Sequence, residues 1–219
     1  MNPTVTLPPT AGPPLTQAQH QQTLSAAQEL FFRRGLRAVG PDELAACLGR
    51  PAAPAPTVAA KAALIHTVFS EYIRRMREAF TRQQARSTTA VAEMLALREW
   101  VWQEAQQIRA PVFWELAQDY PATWQLWQEH CTGFVVEYLR DNLRWGMRQE
   151  LYHSYLDIDF LPRFWVQQIS ASPTTGLSDP PGLDPVDVRQ TIAAHFMAGI
   201  ITPVGAAVAR RLQESPPDY

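Results

Sequence analysis

The 219-residue chain is poor in cysteine, in glycine and in charge. Its two cysteines, Cys47 and Cys131, lie far apart without C-x-x-C or Cys/His spacing, which favours a reducing compartment and argues against a zinc site. Only 18% of the residues are charged and 46% are apolar, which excludes wholesale disorder. A chain of this composition and length can bury a core without metal or disulfide staples.

A strong excess of one charge is also absent, because the formal net charge is −2 and the pI is near 6.2. Any DNA contact must therefore come from a local basic patch rather than from a global positive field. The sequence contains no nucleophile elbow, no phosphate-binding glycine-rich loop and no H-E-x-x-H pair. We predict a protein that is not an enzyme and that uses no cofactor and no metal ion.

Membrane and targeting signals are missing as well. Residues 1–15 have neither the charged region nor the apolar region of a signal peptide, and their prolines predict a flexible tail. One uncharged stretch of eighteen residues, 192–209, contains His195, Thr202 and Pro203, which favours a buried helix over a membrane span. We predict a cytoplasmic protein without membrane contact.

Apolar residues recur at helical spacing, and prolines, glycines and acidic residues mark the ends of the segments. No segment shows convincing strand alternation, so the predicted class is all-α. The predicted helices cover about 16–36, 41–48, 61–80, 87–107, 111–119, 121–146, 160–170 (with Asp159 as N-cap) and 184–213 (kinked at Pro203).

Several short motifs occur in an order that resembles the TetR family of transcriptional regulators. In the first half these are the run from Leu24 to Phe31 (LSAAQELF), Gly35, Leu44-Ala45, Leu48-Gly49, Lys61 and Leu64. In the second half they are Leu116, Tyr120-Pro121, Trp124, Asn142, Gly146, Leu151-Tyr152, Asp157, Asp159, His195-Phe196, Gly199-Ile200, Thr202 and Gly205. The resemblance implies a helix-turn-helix-like three-helix domain over residues 16–76 and a TetR-like helical domain for ligand binding and dimerisation over residues 77–215.

The sequence departs from the family where the DNA-reading helix is expected. Pro51, Pro54 and Pro56 stand there, and each proline in a helix interior costs about 3 kcal/mol. Residues that precede prolines are also pushed out of the α region. We therefore predict a proline-disrupted recognition helix, with no regular helix over residues 51–58, between well-formed helices on either side.

The resemblance implies DNA binding, and the basic patch available for it is thin. Residues 15–61 hold five basic residues (Arg33, Arg34, Arg37, Arg50 and Lys61) against three acids (Glu29, Asp42 and Glu43). With an irregular segment, contacts to a DNA operator would come from Arg50, Thr57, Lys61 and the N-terminal arm. Two functions stay open: a ligand-responsive, repressor-type regulator, or a dimeric ligand-binding or interaction protein that has lost sequence-specific DNA binding.

Aromatic residues are concentrated in the region that encloses the effector in TetR-like proteins. Five of the seven tryptophans lie between Trp100 and Trp127. This density favours a pocket for a small apolar or aromatic effector, although an aromatic stripe at helical spacing is also typical of an ordinary core. The predicted pocket residues are Trp100, Trp114, Trp124, Trp127, Phe134 and Tyr138.

The last helix carries an apolar stripe too wide to be buried by one chain alone. The helix at 160–170 is the expected second component of a four-helix interface between two copies, as the resemblance implies. We predict a homodimer with Phe164, Phe196, Ile200, Val204 and Val208 in its interface.

Overall fold

The computed structural model of the chain describes residues 17–49, 57–108, 111–170 and 185–214. The predicted tail (residues 1–15), Arg50 and the proline segment (residues 51–56) lie outside the described residues. Regular structure in the described ranges is helical, apart from an isolated antiparallel bridge between Tyr152 and Ile201, so the all-α prediction is confirmed. The helices are α1 (Gln17–Arg34), α2 (Pro41–Cys47), α3 (Val58–Arg86), α4 (Ala90–Gln107), α5 (Pro111–Asp119), α6 (Pro121–Glu129), α7 (Val136–Arg148), α8 (Phe160–Ser170), α9 (Pro185–Ile200) and α10 (Pro203–Glu214), and a π-helical segment (His130–Val135) joins α6 to α7.

The N-terminal unit is formed by α1, α2 and the first part of α3. Helix α1 ends at Gly35, whose φ of 92° is accessible to glycine without strain and whose N–H donates to the Phe31 carbonyl at 2.9 Å. Helix α2 starts with Pro41 at its first position, and the Glu43 carboxylate accepts the Gly40 N–H at 3.2 Å. Both helices therefore begin and end where local signals predict.

Helix α3 is longer than its predicted range of 61–80. It starts at Val58 because Thr57 is its N-cap, with Oγ1 accepting the Ala60 N–H at 3.2 Å, and it continues to Arg86. One face is buried along its length and supplies the core with Leu64, Ile65, Val68, Phe69, Tyr72, Ile73, Met76 and Phe80. The helix runs continuously across the predicted domain boundary at residues 76 and 77.

Helices α6 and α7 form one long rod, in agreement with the predicted helix 121–146. Pro121 occupies the first helical position, where a missing N–H costs nothing. The π-helical segment in the middle of the rod was not predicted, since helical spacing alone does not distinguish its wider turn. Within it the rings of His130 and Phe134 stack at 5.5 Å with 17° between their planes.

Two details of the C-terminal half differ from expectation. The N-terminus of α8 is capped by Asp157, not Asp159, because Asp157 Oδ1 accepts the N–H groups of Asp159 and Phe160 at 3.0 and 2.9 Å. The predicted last helix is broken into α9 and α10 rather than kinked. Thr202 stabilises the break: its N–H donates to the Leu151 carbonyl and its Oγ1 accepts the Gly205 N–H, at 3.0 and 3.1 Å.

Close backbone approach fixes the turn that follows α7. The ring of Tyr152 lies directly against Gly146, and a side chain at that position would collide with it. The Tyr152 hydroxyl donates toward the Ala90 carbonyl at 3.0 Å and lies 3.2 Å from Asn142 Oδ1, so the turn is tied to the start of α4 and to α7. These contacts position the helices that surround the candidate site.

Candidate functional site

The predicted DNA-contacting residues lie at the start of α3, as far as the structure describes them. Thr57 is exposed, and its hydroxyl is used as the helix cap described above. Lys61 is half-buried and its Nζ donates to the Val39 carbonyl at 2.7 Å. Partial burial lowers the pKa of Lys61, and the negative charges of Glu115 and Asp119 oppose that shift. Lys61 therefore helps to hold the chain that precedes α2, and its role toward DNA stays a prediction.

Glu115 of α5 ties the second half of the chain to the turn after α1. Its Oε2 accepts the backbone N–H groups of Leu36 and Arg37 at 2.5 and 3.1 Å, although almost eighty residues separate it from them. The carboxylate also lies close to Gly35, where a Cβ atom would be 3.1 Å from Oε2. The carboxylate thus binds backbone donors at the C-terminal end of α1, and the bonds are charge-assisted.

Around Glu115, Arg37 forms two further contacts with α5. Its guanidinium pairs with the Asp119 carboxylate through N–O distances of 2.6 and 2.9 Å, and this pairing lowers the pKa of Asp119. The same guanidinium lies over the ring of Trp114, 4.4 Å from its centroid. We name the contacts of Glu115, Asp119 and Trp114 with residues 35–37 the α5 junction. Trp114, a predicted pocket residue, is 36% exposed and belongs to this junction.

Four of the other five predicted pocket residues are found in two neighbouring groups. Trp100, Phe134 and Tyr138 surround Phe80 of α3, with ring centroids 5.4, 6.0 and 5.0 Å from that of Phe80. The ring of Trp127 lies 4.8 Å from that of Phe113, tilted by 36°. The first group and Trp127 are connected by His130, which contacts both Trp127 and Phe134. We refer to this continuous set as the aromatic interior.

His130 is fully buried in the aromatic interior and is neutral at physiological pH. Arg77 Nε donates to His130 Nδ1 at 3.3 Å, which leaves the ring proton on Nε2, 2.9 Å from the sulfur of Met76. Burial, together with the positive charge of Arg77, lowers the pKa of His130 to about 4. The partner of His130, Arg77, comes from another helix and could not be found by spacing.

Trp124 and Trp127 also line an open groove of about 560 Å³ between α6–α7 and α8. The groove contains apolar side chains at its base and two arginines, Arg140 and Arg163. Of the six predicted pocket residues, these two tryptophans are the ones that line it. A volume of this order is in the range of small-molecule sites.

A second buried polar residue, Glu93 of α4, was not recognised from the sequence. Its side chain is fully buried, and neither carboxyl oxygen has a hydrogen-bond partner among the described residues, although Tyr138 and Asn142 are close. Burial raises the pKa of Glu93. No group of three or more metal-binding side chains is found among the described residues.

The predicted dimer residues are divided between surface and core. Phe164 is 45% exposed and stacks on Phe160, and Val204 is 61% exposed. Phe196 and Val208 are half-buried, whereas Ile200 is buried within its own chain. An unpartnered apolar surface therefore exists on α8 and α10, and it is narrower than the stripe read from the sequence. No described helix is both long and apolar enough to cross a membrane.

Solved structures share this fold at low sequence identity. The chain is similar to a transcriptional regulator from Cytophaga hutchinsonii (TM-score 0.64, 14% identity, 85% of this chain and 100% of that one). It is similar to a TetR-family regulator from Agrobacterium tumefaciens (TM-score 0.63, 14% identity, 85% of this chain and 99% of that one). It is also similar to the transcriptional regulator FadR from Bacillus subtilis in complex with stearoyl-CoA (TM-score 0.57, 16% identity, 83% of this chain and 99% of that one). The sequence matches no protein-family model and no curated protein.

These similarities identify the fold as the one found in TetR-family transcriptional regulators. They extend over almost the whole of the compared chains and so include both the N-terminal unit and the larger helical part. The predicted TetR-like architecture is confirmed.

Proposed function

We propose that the chain is a TetR-like, ligand-responsive transcriptional regulator of the repressor type, which acts as a homodimer in the cytoplasm and is not an enzyme. The observation that supports this most directly is the α5 junction. Through Glu115, a helix of the larger part binds the backbone at the end of α1, so a displacement of α5 acts on the N-terminal unit without a flexible linker between them. A ligand with different affinities for two positions of α5 would shift the population of DNA-binding conformations.

DNA contact is assigned to Arg50, Thr57 and Lys61, with the basic patch of the N-terminal unit as electrostatic support. Lys61 uses one of its three donors on Val39, which leaves two for a phosphate oxygen as far as the described residues are concerned. Phosphate contacts position a protein on DNA and make its affinity depend on salt. The recognition element of a dimer would be presented twice, at a spacing set by the dimer interface.

The dimer interface is assigned to α8, α9 and α10, with Phe164 and Val204 at its centre and Phe196, Ile200 and Val208 beneath them. Exposed apolar side chains on adjacent helices are typical of surfaces covered by a partner. Phe164→Glu is expected to give a monomer in light scattering at micromolar concentration. Gln84→Glu adds the same charge at an exposed position of α3, outside the assigned interface; it is the control and should leave a dimer.

The effector is assigned to the aromatic region that contains Trp100, Trp124, Trp127, Phe134 and Tyr138, and it is expected to be small and apolar or aromatic. One similar structure, FadR from Bacillus subtilis, is a complex with stearoyl-CoA. Trp114 is assigned to the α5 junction instead, since Arg37 covers its ring.

The alternative function is a dimeric ligand-binding or interaction protein without sequence-specific DNA binding. Pro51, Pro54 and Pro56 favour it, because they oppose a regular reading helix and provide no side chain that can bond a base edge. Under this alternative the α5 junction is purely structural.

Binding to DNA from the region upstream of the protein's own gene, measured across salt concentrations, distinguishes the two functions. A regulator should bind this DNA far more tightly than unrelated DNA, with a steep salt dependence. Lys61→Met should lower the salt slope by about 1, whereas Arg148→Gln, an exposed change far from the N-terminal unit, should not alter it. Weak binding that does not distinguish the two DNAs would support the alternative.

A further inference from the structure

The groove between α6–α7 and α8 has a largely apolar base. Trp124 and Trp127 of α6 form one side, Val136 of α7 follows, and Val166 of α8 closes the opposite side. Trp127 is at the same time the outer member of the aromatic interior, where it contacts Phe113. An occupant of the groove therefore packs directly against the ring system that reaches α5.

Two arginines, Arg140 and Arg163, and one acid, Glu137, line the groove, and the Asp159 carboxylate lies beside Arg140. The pKa of Glu137 is lowered first by its hydrogen bond to Arg140 and then by the charges of Arg140, Arg144 and Arg163. Flat or aliphatic groups suit the base of the groove, and an anionic group suits its arginines.

Arg140 is held in position by its packing and by two carboxylates. Its residue is 8% exposed, and its partners are the exposed carboxylates of Glu137 and of Asp159, the latter 3.1 Å from Nε. Leaving a buried charge without a partner is costly, so an incoming anion must take the place of one of these carboxylates at the Arg140 guanidinium. Arg163 is exposed and is the first arginine of the groove that an acidic group meets.

The π-helical segment contributes Cys131 and Thr132 to the same groove. A π-helical turn is less favourable than an α-helical one and is found most often at functional sites. In this chain it allows His130 to face the aromatic interior while the following residue, Cys131, lines the groove.

We propose that this groove is the effector site, and that its ligand is a small amphipathic anion with a flat or aliphatic apolar body against Trp124 and Trp127 and an acidic group at Arg140 and Arg163. The proposal rests on the proposed ligand-responsive function and names the position and the chemical class of the ligand. It adds a charged group to the apolar effector expected from the tryptophans alone.

A pair of fluorescent probes that differ in one acidic group tests the assignment. The probes are 8-anilinonaphthalene-1-sulfonate and its uncharged analogue N-phenyl-1-naphthylamine, each titrated into the full chain. We expect Arg163→Gln to weaken binding of the sulfonate by about tenfold or more and to leave binding of the uncharged probe unchanged. Arg144→Gln is the matched control, because Arg144 is exposed, lies on the neighbouring helix α7 and does not line the groove.

A second pair of variants tests the position of the site without changing charge. Gln167→Trp adds a large side chain to the groove and should abolish binding of both probes, whereas Gln168→Trp, an exposed neighbour outside the groove, should not. Equal binding of both probes to all four variants, or equal losses in each variant and its control, would overturn the proposal. Far-ultraviolet circular dichroism identifies any variant that fails to fold.

The binding measurement contains no DNA, so its failure is distinguishable from failure of the regulator function. If the groove binds the sulfonate but the chain does not recognise its upstream DNA, the site is upheld and the regulator function is rejected. If DNA is recognised but Gln167→Trp and Arg163→Gln leave both probes unaffected, the regulator function is upheld and this site is rejected.

Discussion

The α5 junction and the aromatic interior both hold α5, through Glu115 and Phe113 respectively, but by different physical means. The junction depends on directional bonds from a few side chains, chiefly the Glu115 carboxylate with two backbone N–H groups. The interior depends on many ring contacts, none of which requires a particular partner atom. A single substitution in the junction should therefore break its hydrogen bonds while the fold remains. A single substitution in the interior should instead reduce the stability of the whole molecule.

Phe80→Ala, in the aromatic interior, should have the largest effect on the stability of the fold. Phe80 is buried at the centre of three other rings, so its removal leaves a cavity and should lower the free energy of unfolding by about 3–5 kcal/mol. Urea denaturation followed by circular dichroism measures the change. Gln84→Ala, an exposed position on the same helix, is the control and should have almost no effect. A loss below about 1 kcal/mol would mean that the interior is loosely packed.

Acid should weaken the interior specifically through His130. The pKa of His130 is about 4 in the folded state, below the unfolded value of 6.5. The stability that its neutral ring contributes is therefore fully present above pH 6.5 and is lost as the pH falls toward 4. Over that interval the wild type should lose about 3 kcal/mol of unfolding free energy relative to His130→Gln. Denaturation curves of both proteins at several pH values test this, and parallel pH profiles would contradict it.

Glu115→Gln should show what the junction contributes. The amide loses the charge that strengthens the bonds to Leu36 and Arg37, and we expect a loss of about 2 kcal/mol. Amide hydrogen exchange should increase at residues 35–39 and stay unchanged at residues 134–140. Glu99→Gln, an exposed change on α4, serves as the control. Equal exchange increases in both regions would show that the junction and the interior are one cooperative unit.

The smallest effect is expected from the outer ion pair of the junction. Asp119→Asn removes the charged partner of Arg37, both of which are solvated, so the change in melting temperature should be smaller than that of Glu115→Gln. The difference from wild type should shrink further at high salt, because exposed charges are screened. If Asp119→Asn lowers the melting temperature as much as Glu115→Gln does, and equally at low and high salt, then the solvated Arg37–Asp119 pair is as important as the buried Glu115 carboxylate and the comparison is wrong.

Local signals explain how much of the fold could be predicted. Helices α2, α5 and α6 start where Pro41, Pro111 and Pro121 indicate, because a proline at the first helical position acts within a single turn. The ends of α3 were missed because they are set by the caps at Thr57 and Ser87 rather than by apolar spacing. The choice between Asp157 and Asp159 as a cap depends on backbone geometry that spacing does not contain.

The candidate site was predicted less completely, because its contacts join distant parts of the chain. Spacing located the tryptophans but not the direction each one faces, so Trp114 was grouped with rings from which the structure separates it. Glu115 gave no local signal: its partners precede it by almost eighty residues. The roles assigned to Lys61, to the groove and to the dimer surface remain predictions.

The length of α3 has a geometric consequence for the chain as a whole. Its 29 residues form an unbroken rod of about 44 Å, anchored in the larger part at one end and in the N-terminal unit at the other. A tilt of about 5° around the Arg86 end would carry the Thr57 end through about 4 Å, which is more than a hydrogen bond can stretch. Helix α3 is thus a lever arm: a small displacement beside its Arg86 end becomes, at its Thr57 end, a movement larger than the phosphate contacts proposed for Lys61 could follow.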